Sequence, residues 1–159
     1  MPRYRYAVAH DRVTSAALGG AVKGLGNFIM YGFTEQTATS LIPLAKSWDR
    51  PPTLEKLIGC ESSGYIQAER AYRLAAKASS MSFTLEGSKD RPIYNPCFVI
   101  NNWISQNKCR LEVNGKALAP GTSFRQGITR DTDGTRMLVV WLNLQSTSPV
   151  RFTIKAVEE

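Results

Sequence analysis

Apolar and polar positions alternate with period two along the last third of the chain. Leu111 and Val113 alternate with Arg110 and Glu112, and Val150, Phe152 and Ile154 repeat the pattern. Turn chemistry separates the runs: Asn114-Gly115, Pro120-Gly121 and the loop Thr129-Arg130-Asp131-Thr132-Asp133-Gly134. Alternation bounded by Asn-Gly and Asp-Gly pairs predicts antiparallel hairpins, because few residues tolerate the positive φ that tight hairpin turns require. In the run Met137 to Leu144, Leu138, Val140, Leu142 and Leu144 form one face, and Met137, Val139 and Trp141 form the other. Both faces are apolar, so each needs cover: a second sheet on one side, or an N-terminal segment packed behind. The expected fold class is all-β, an antiparallel β-sandwich with a leading N-terminal β segment and few or no helices.

Upstream, residues 3–13 suit a strand with Tyr4, Tyr6 and Val8 on one face, residues 14–26 are rich in glycine, and Asn27 to Phe33 is a second run of β-formers. Residues 1–33 are therefore expected to be a leading β segment, either joined to the later sheets or ending a preceding domain. Thr34 can cap a helix that Pro43 would limit. Trp48-Asp49-Arg50-Pro51-Pro52 reads as extended, because a proline biases its predecessor away from the helical region. This makes residues 34–52 a connector and 53–159 the sandwich module. Residues 66–78 admit two readings. Their alanines and the apolar positions 68, 71, 72 and 75 suit a helix. The alternation of Tyr72 and Leu74 with Ala71 and Arg73 suits a strand, and a hairpin from there into Met81, Phe83 and Leu85 uses fewer parts. Asn95 to Ile100 contains a short apolar run fit for a central strand.

Hydrophobic residues at 43% and charged residues at 21% of 159 positions suit a folded globular chain. No apolar run approaches the ~20 residues of a membrane-spanning helix, so no membrane partner is expected. The first six residues lack the apolar stretch of a signal peptide, so an exported form would have lost its leader or would be cut from a longer chain. The formal charge is +7, but residues 1–80 carry ten Lys and Arg against six acids, and residues 81–159 ten against seven. Such an even spread argues against nucleic acid, whose binders gather charge in a patch, and suits a mildly anionic polysaccharide. Cys60, Cys97 and Cys109 match neither a redox pair nor a zinc module. They read as small buried hydrophobes, Cys109 falling in register with Leu111 and Val113, with their redox state left open.

Candidate chemistry is sparse. His10 beside Asp11 has the composition of a general base with its orienter, but no nucleophile motif accompanies it, and a polar residue at a strand end explains it as well. Gly19-Gly20 and Gly24-Leu25-Gly26 lack the form of a phosphate-binding loop. Asp131 and Asp133 before Gly134 resemble the start of a calcium loop, which makes them the candidate metal ligands, although a hairpin turn uses the same residues. Glu61, Glu69, Glu86, Asp90 and Glu112 are the carboxylates available for glycan hydrolysis or elimination. No catalytic residue is assigned.

Aromatic residues are the stronger lead. Trp48, Trp103 and Trp141 with Tyr31, Tyr65, Tyr72 and Tyr94 offer flat apolar rings, and Trp141 is expected in the core from its apolar neighbours. Asn101 and Asn102 beside Trp103, together with Arg125 next to Gln126, form the candidate ligand-binding set, with core filling as the competing role of Trp103. The segment Asn95-Pro96-Cys97-Phe98-Val99-Ile100-Asn101-Asn102-Trp103, continued by Leu111-Glu112-Val113-Asn114-Gly115-Lys116 and Ser123-Phe124-Arg125-Gln126-Gly127, resembles the C-terminal β-sandwich accessory module of large bacterial carbohydrate-active proteins. With Trp48 to Pro52 included, the resemblance covers roughly two thirds of the chain. It implies a secreted or extracytoplasmic region attached to a larger protein, without a catalytic set; a cytoplasmic location stays open. Three functions follow: a non-catalytic module binding an oligosaccharide or polysaccharide, a structural module packing on a neighbouring domain or a second copy, and a small glycan hydrolase or lyase.

Overall fold

A computed structural model of the chain describes residues 38–105 and 108–157. The chain divides into two units, Met1–Arg50 and Pro51–Glu159. The expected leading β segment, with His10, the glycine-rich loop and Tyr31, lies outside the described residues.

In the first unit, helix α1 spans Ala38–Asp49. It passes through Pro43, expected to limit it, and takes in Trp48 and Asp49, expected in an extended connector. Pro43 is the sixth residue of the helix, so its missing N–H leaves the turn at Thr39 short of one i→i−4 hydrogen bond, a cost the helix tolerates. Pro51 restricts only Arg50, one residue past the helix, and the Arg50 N–H still donates to the Lys46 carbonyl at 2.8 Å. Leu41 and Ala45, one helical turn apart, are buried.

The second unit is built from strands. One five-stranded sheet runs in the order β1 (Thr53–Ile58), β4 (Ser80–Glu86), β12 (Val150–Ala156), β7 (Cys109–Val113), β8 (Lys116–Leu118). The other runs β2 (Cys60–Ile66), β3 (Ala71–Ala76), β6 (Cys97–Asn101), β10 (Arg136–Leu142), β9 (Phe124–Arg130). β5 (Ile93–Tyr94) and β11 (Gln145–Ser146) form a short ribbon. Pairing is antiparallel throughout except between β3 and β6, which run parallel.

Residues 66–78 thus hold strand β3, but β3 and β4 are not the expected hairpin: they lie in different sheets. The hairpin is a longer one. β2 pairs with β3 around the 67–70 turn, and β1 pairs with β4 further from it, so residues 53–66 face residues 71–86 along their whole length. This hairpin folds over at Gly59, and its two halves enter opposite sheets. Gly59 has φ +70, and a Cβ there would sit 2.3 Å from the Ser80 carbonyl oxygen, so only glycine lets the two corners nest. The Lys77 N–H donates to the Gly59 carbonyl at 2.9 Å and closes the bend.

The turn signals further along hold. Asn114 (φ 50) and Gly115 (φ 79) both adopt positive φ between β7 and β8, as a two-residue hairpin turn demands. The Asp131–Thr135 segment closes the β9–β10 hairpin, the Asp131 N–H donating to the Thr135 carbonyl at 2.9 Å.

Alternation delivers the core. Met81, Phe83 and Leu85 from β4, Phe152 and Ile154 from β12, Phe98 and Ile100 from β6, and Leu138, Val140 and Leu142 from β10 meet in one buried cluster. Phe98 joins the sheets, with its ring centroid 4.9 Å from Phe83 and 5.1 Å from Phe152 in edge-to-face contacts. Phe83 and Phe152 stack at 5.5 Å within their own sheet. Such pairs add about 0.5–1.5 kcal/mol beyond area burial. Tyr72 reaches the edge of the cluster and donates its buried hydroxyl to the Pro52 carbonyl at 2.9 Å.

The bend yields a paired prediction. Gly59→Ala should lower stability by about 2–4 kcal/mol, since it meets both backbone strain and a carbonyl. Gly64→Ala has φ +81 but nothing within 4 Å of its Cβ, and should lose only about 1 kcal/mol. Urea unfolding of both variants checks this, and equal losses would show that the bend tolerates a side chain.

Candidate ligand-binding face

With inward positions filling the core, the chemistry rests on outward ones. On the second sheet, the register places Ala75, Asn101, Met137 and Thr129 in one row across β3, β6, β10 and β9. Arg73, Val99, Val139 and Gly127 form the next row, and Cys97, Trp141 and Arg125 the one after it. The result is a face with an apolar centre, half-buried Val99 and Val139 beside buried Met137, and a polar group at either end.

At one end Arg73 is a hub. Its guanidinium donates to both carboxylate oxygens of Glu69, at 2.7 and 2.8 Å, and to Asn101 Oδ1 at 3.3 Å. It also lies 3.5 Å from Asp131 and 3.6 Å from the Met137 sulfur. Charge-assisted, two-point contact of this kind fixes orientation as well as charge. Hydrogen bonding from Arg73 holds the Glu69 carboxyl below the usual glutamate range and holds the guanidinium protonated. A general acid needs the opposite shift, so Glu69 is poorly suited to act as the acid of a glycosidase. The other carboxylates lie apart from Glu69 and Asp131: Glu61 pairs with Lys77, Glu112 with Lys155 at 2.7 Å on the first sheet, and Asp90 is exposed in a turn.

At the other end the Trp141 ring is half-buried on the outer face, with the exposed Arg125 guanidinium 5.8 Å from its centroid. This reverses the expected roles of the two tryptophans. Trp103 is 3% exposed and belongs to the core cluster, so its ring offers no platform, whereas Trp141 faces outward. Strict alternation decides it: Leu142 is inward, so Trp141 beside it is outward.

The candidate set is therefore only partly assembled. Asn101 and Arg125 share the second sheet's outer face, at opposite ends of it. Asn102 (φ 55) lies in the turn that ends β6, exposed. Gln126, neighbour to Arg125, points inward, and its amide both accepts from the Cys109 N–H at 2.6 Å and donates to the Cys109 carbonyl at 3.1 Å. It stands in for a missing strand where β8 stops short of β7's start, which is a structural task.

The two candidate metal ligands are engaged otherwise. Asp131 accepts from the Thr132 N–H at 2.7 Å and faces the Arg73 cation, while Asp133 accepts from the Thr135 N–H at 2.8 Å. Among the described residues no group of three His, Cys, Asp or Glu side chains gathers as a metal site. Cys60 and Cys109 are buried and Cys97 half-buried, all free thiols. Burial pushes each thiol up, Cys109 to about 12, so none is a ready nucleophile at neutral pH.

Arg73 and Trp141, the residues that organise this face, were missed as site residues in the sequence. Arg73 sat in the ambiguous stretch 66–78, and Trp141 was assigned by its neighbours' polarity instead of its parity. Comparison of the chain with protein-family models, with curated proteins and with solved structures finds no match in any of the three.

The Arg73 hub gives a pH prediction. Folded Glu69 binds its proton less tightly than unfolded glutamate, so the pair's contribution is complete above the ordinary glutamate pKa of ~4.3 and drains as pH falls through the lower folded value. Glu69→Gln should remove up to about 1 kcal/mol at pH 7, because the pair is solvent-screened, and less at pH 3. Chemical unfolding of both proteins at the two pH values measures it; a loss of equal size at pH 3 would exclude an ionic origin.

Proposed function

We propose that residues 51–157 form a non-catalytic module that binds carbohydrate on the outer face of the second sheet. The observation that carries this reading is the Trp141 ring set on a rigid central strand beside the free end of Arg125. A sugar's apolar face suits the indole, and the guanidinium suits a ring hydroxyl or a uronate carboxylate. Asn101, held in place by Arg73, adds an amide at the far end of the same face. The positive net charge favours an acidic glycan over a neutral one. The resemblance to accessory modules of bacterial carbohydrate-active proteins, exported with a larger chain, agrees with this assignment.

A second reading has its own observation. Val99, Val139 and Met137 give the face an apolar centre with a rim of Arg73, Arg125, Glu69 and Asp131, the anatomy of a protein interface. In that case the face packs on a neighbouring domain or a second copy.

Retention on immobilised polysaccharides separates the two. Under the carbohydrate reading, Trp141→Ala weakens retention at least about tenfold, some 1.4 kcal/mol, while stability changes little because the ring lies outside the core. If wild-type protein is retained on no acidic polysaccharide and light scattering shows a dimer that Trp141→Ala dissociates, the interface reading replaces it.

A further inference from the structure

The first sheet's outer face differs in chemistry and holds a separate open groove of about 540 Å³, lined by Lys56, Ile58, Thr84, Asn114, Pro149 and Arg151. Two cations stand at it, and no acid is in its lining. Neither Lys56 nor Arg151 makes an ion pair among the described residues. Asn114 accepts from the Arg151 N–H through Oδ1 at 2.9 Å and donates its own N–H to the Arg151 carbonyl at 2.8 Å, which leaves its Nδ2 as a further donor. Thr84 is 7% exposed and lines the groove, and its hydroxyl has no hydrogen-bond partner among the described residues.

Backbone geometry sharpens the case. β1 carries one extra residue against β4 between Glu55 and Ile58, a bulge. Within it Lys56 takes φ 52, a left-handed conformation that glycine adopts without strain and lysine does not. The bulge turns Lys56 into the groove and leaves Ile58 62% exposed beside it. A strained lysine and an exposed isoleucine are both unfavourable in a free protein, and both become useful if an anionic group with an apolar frame lies between them.

We propose that this groove binds an oxyanion carried on a small ring with an apolar face, a carboxylate or a sulfate on a sugar ring. Lys56 and Arg151 receive the charge, Thr84 and Asn114 Nδ2 donate to its oxygens, and Ile58 with Pro149 packs against the ring. The site lies on the opposite sheet from Trp141 and stands independently of the carbohydrate reading for that face.

Amide chemical-shift titration of the full chain tests it, with glucuronate and a 6-sulfated glucosamine as probes and glucose as the uncharged control. Either oxyanion should shift the amides of Lys56, Ile58, Asn114 and Arg151 saturably, the stronger of the two identifying the headgroup, and glucose should shift none. Arg151→Gln should weaken binding at least about fivefold. Lys56→Gly should weaken it as much while raising the melting temperature, since it removes the backbone strain; a purely structural lysine could give the second effect without the first. Shifts of equal size with glucose, no saturable shift with either oxyanion, or wild-type affinity in Lys56→Gly overturns the proposal. Because Trp141→Ala leaves this groove intact, its effect on polysaccharide retention is read separately.

Discussion

The fold depends on one bend. A hairpin of some thirty residues, 53–86, is too long to lie in a single sheet of this size, and it turns over at Gly59 so that both sheets begin from the same pair of chains. Apart from the short β5–β11 ribbon, every later strand is added to the two edges this bend creates. β6, β10 and β9 extend the half that holds β3, and β12, β7 and β8 extend the half that holds β4. The close approach of Gly59 to the Ser80 carbonyl fixes how tightly the halves stack, and Phe98 fills the space between them against Phe83 and Phe152. A larger residue at the corner would open the stack and uncouple the aromatic contact.

Much of this was legible in the chain, and the parts that were not have a common cause. Strands β6, β7 and β12 follow from period-two burial, and β4 and β10 from apolar residues dense enough to bury positions on both faces; each of the five sits between neighbours. β1, at the edge of its sheet, shows only exposed or half-buried positions, and β2 carries polar residues through its first half, so neither left an apolar alternation to find. The bend was illegible for a different reason. A glycine that allows a close approach looks like any other glycine until its partner, here the Ser80 carbonyl twenty-one residues on, is in place. Pro43 and Pro51 misled in the opposite direction: proline's effect depends on where in the helix it falls, which local sequence does not mark.

The same distinction separates the legible part of the site from the rest. Parity along a strand puts Trp141 and Leu142 on opposite faces, and only the burial of Leu142 shows which of the two faces outward. Trp103 lies beyond the end of β6, where parity no longer applies, and its burial is decided by tertiary packing. Arg73 could be placed on a face but not recognised as a hub, because its partners come from positions 69, 101, 131 and 137. Gln126 shows the converse: a polar residue next to the exposed Arg125, it serves to complete β7's unfinished pairing.

Once the core is accounted for, the outer faces of the two large sheets hold side chains on paired strands, and they differ sharply. The second sheet presents half-buried Val99, Val139 and Trp141 with buried Met137 in a strip whose one large internal cation, Arg73, is already neutralised by Glu69 and Asp131. The first presents Ser82, Thr84 and Thr153 with Arg151 and Lys155, and of these two cations only Lys155 has a carboxylate partner. An apolar strip with satisfied charges selects by shape and stacking, and a hydroxyl-lined groove with unsatisfied cations selects by charge. A ligand combining sugar rings with acid groups, repeated along a chain, meets both requirements, one on each side of the sandwich. Under the two proposals the sites, though independent in their tests, belong to one physical picture: a rigid scaffold with one face suited to rings and the other to acid groups.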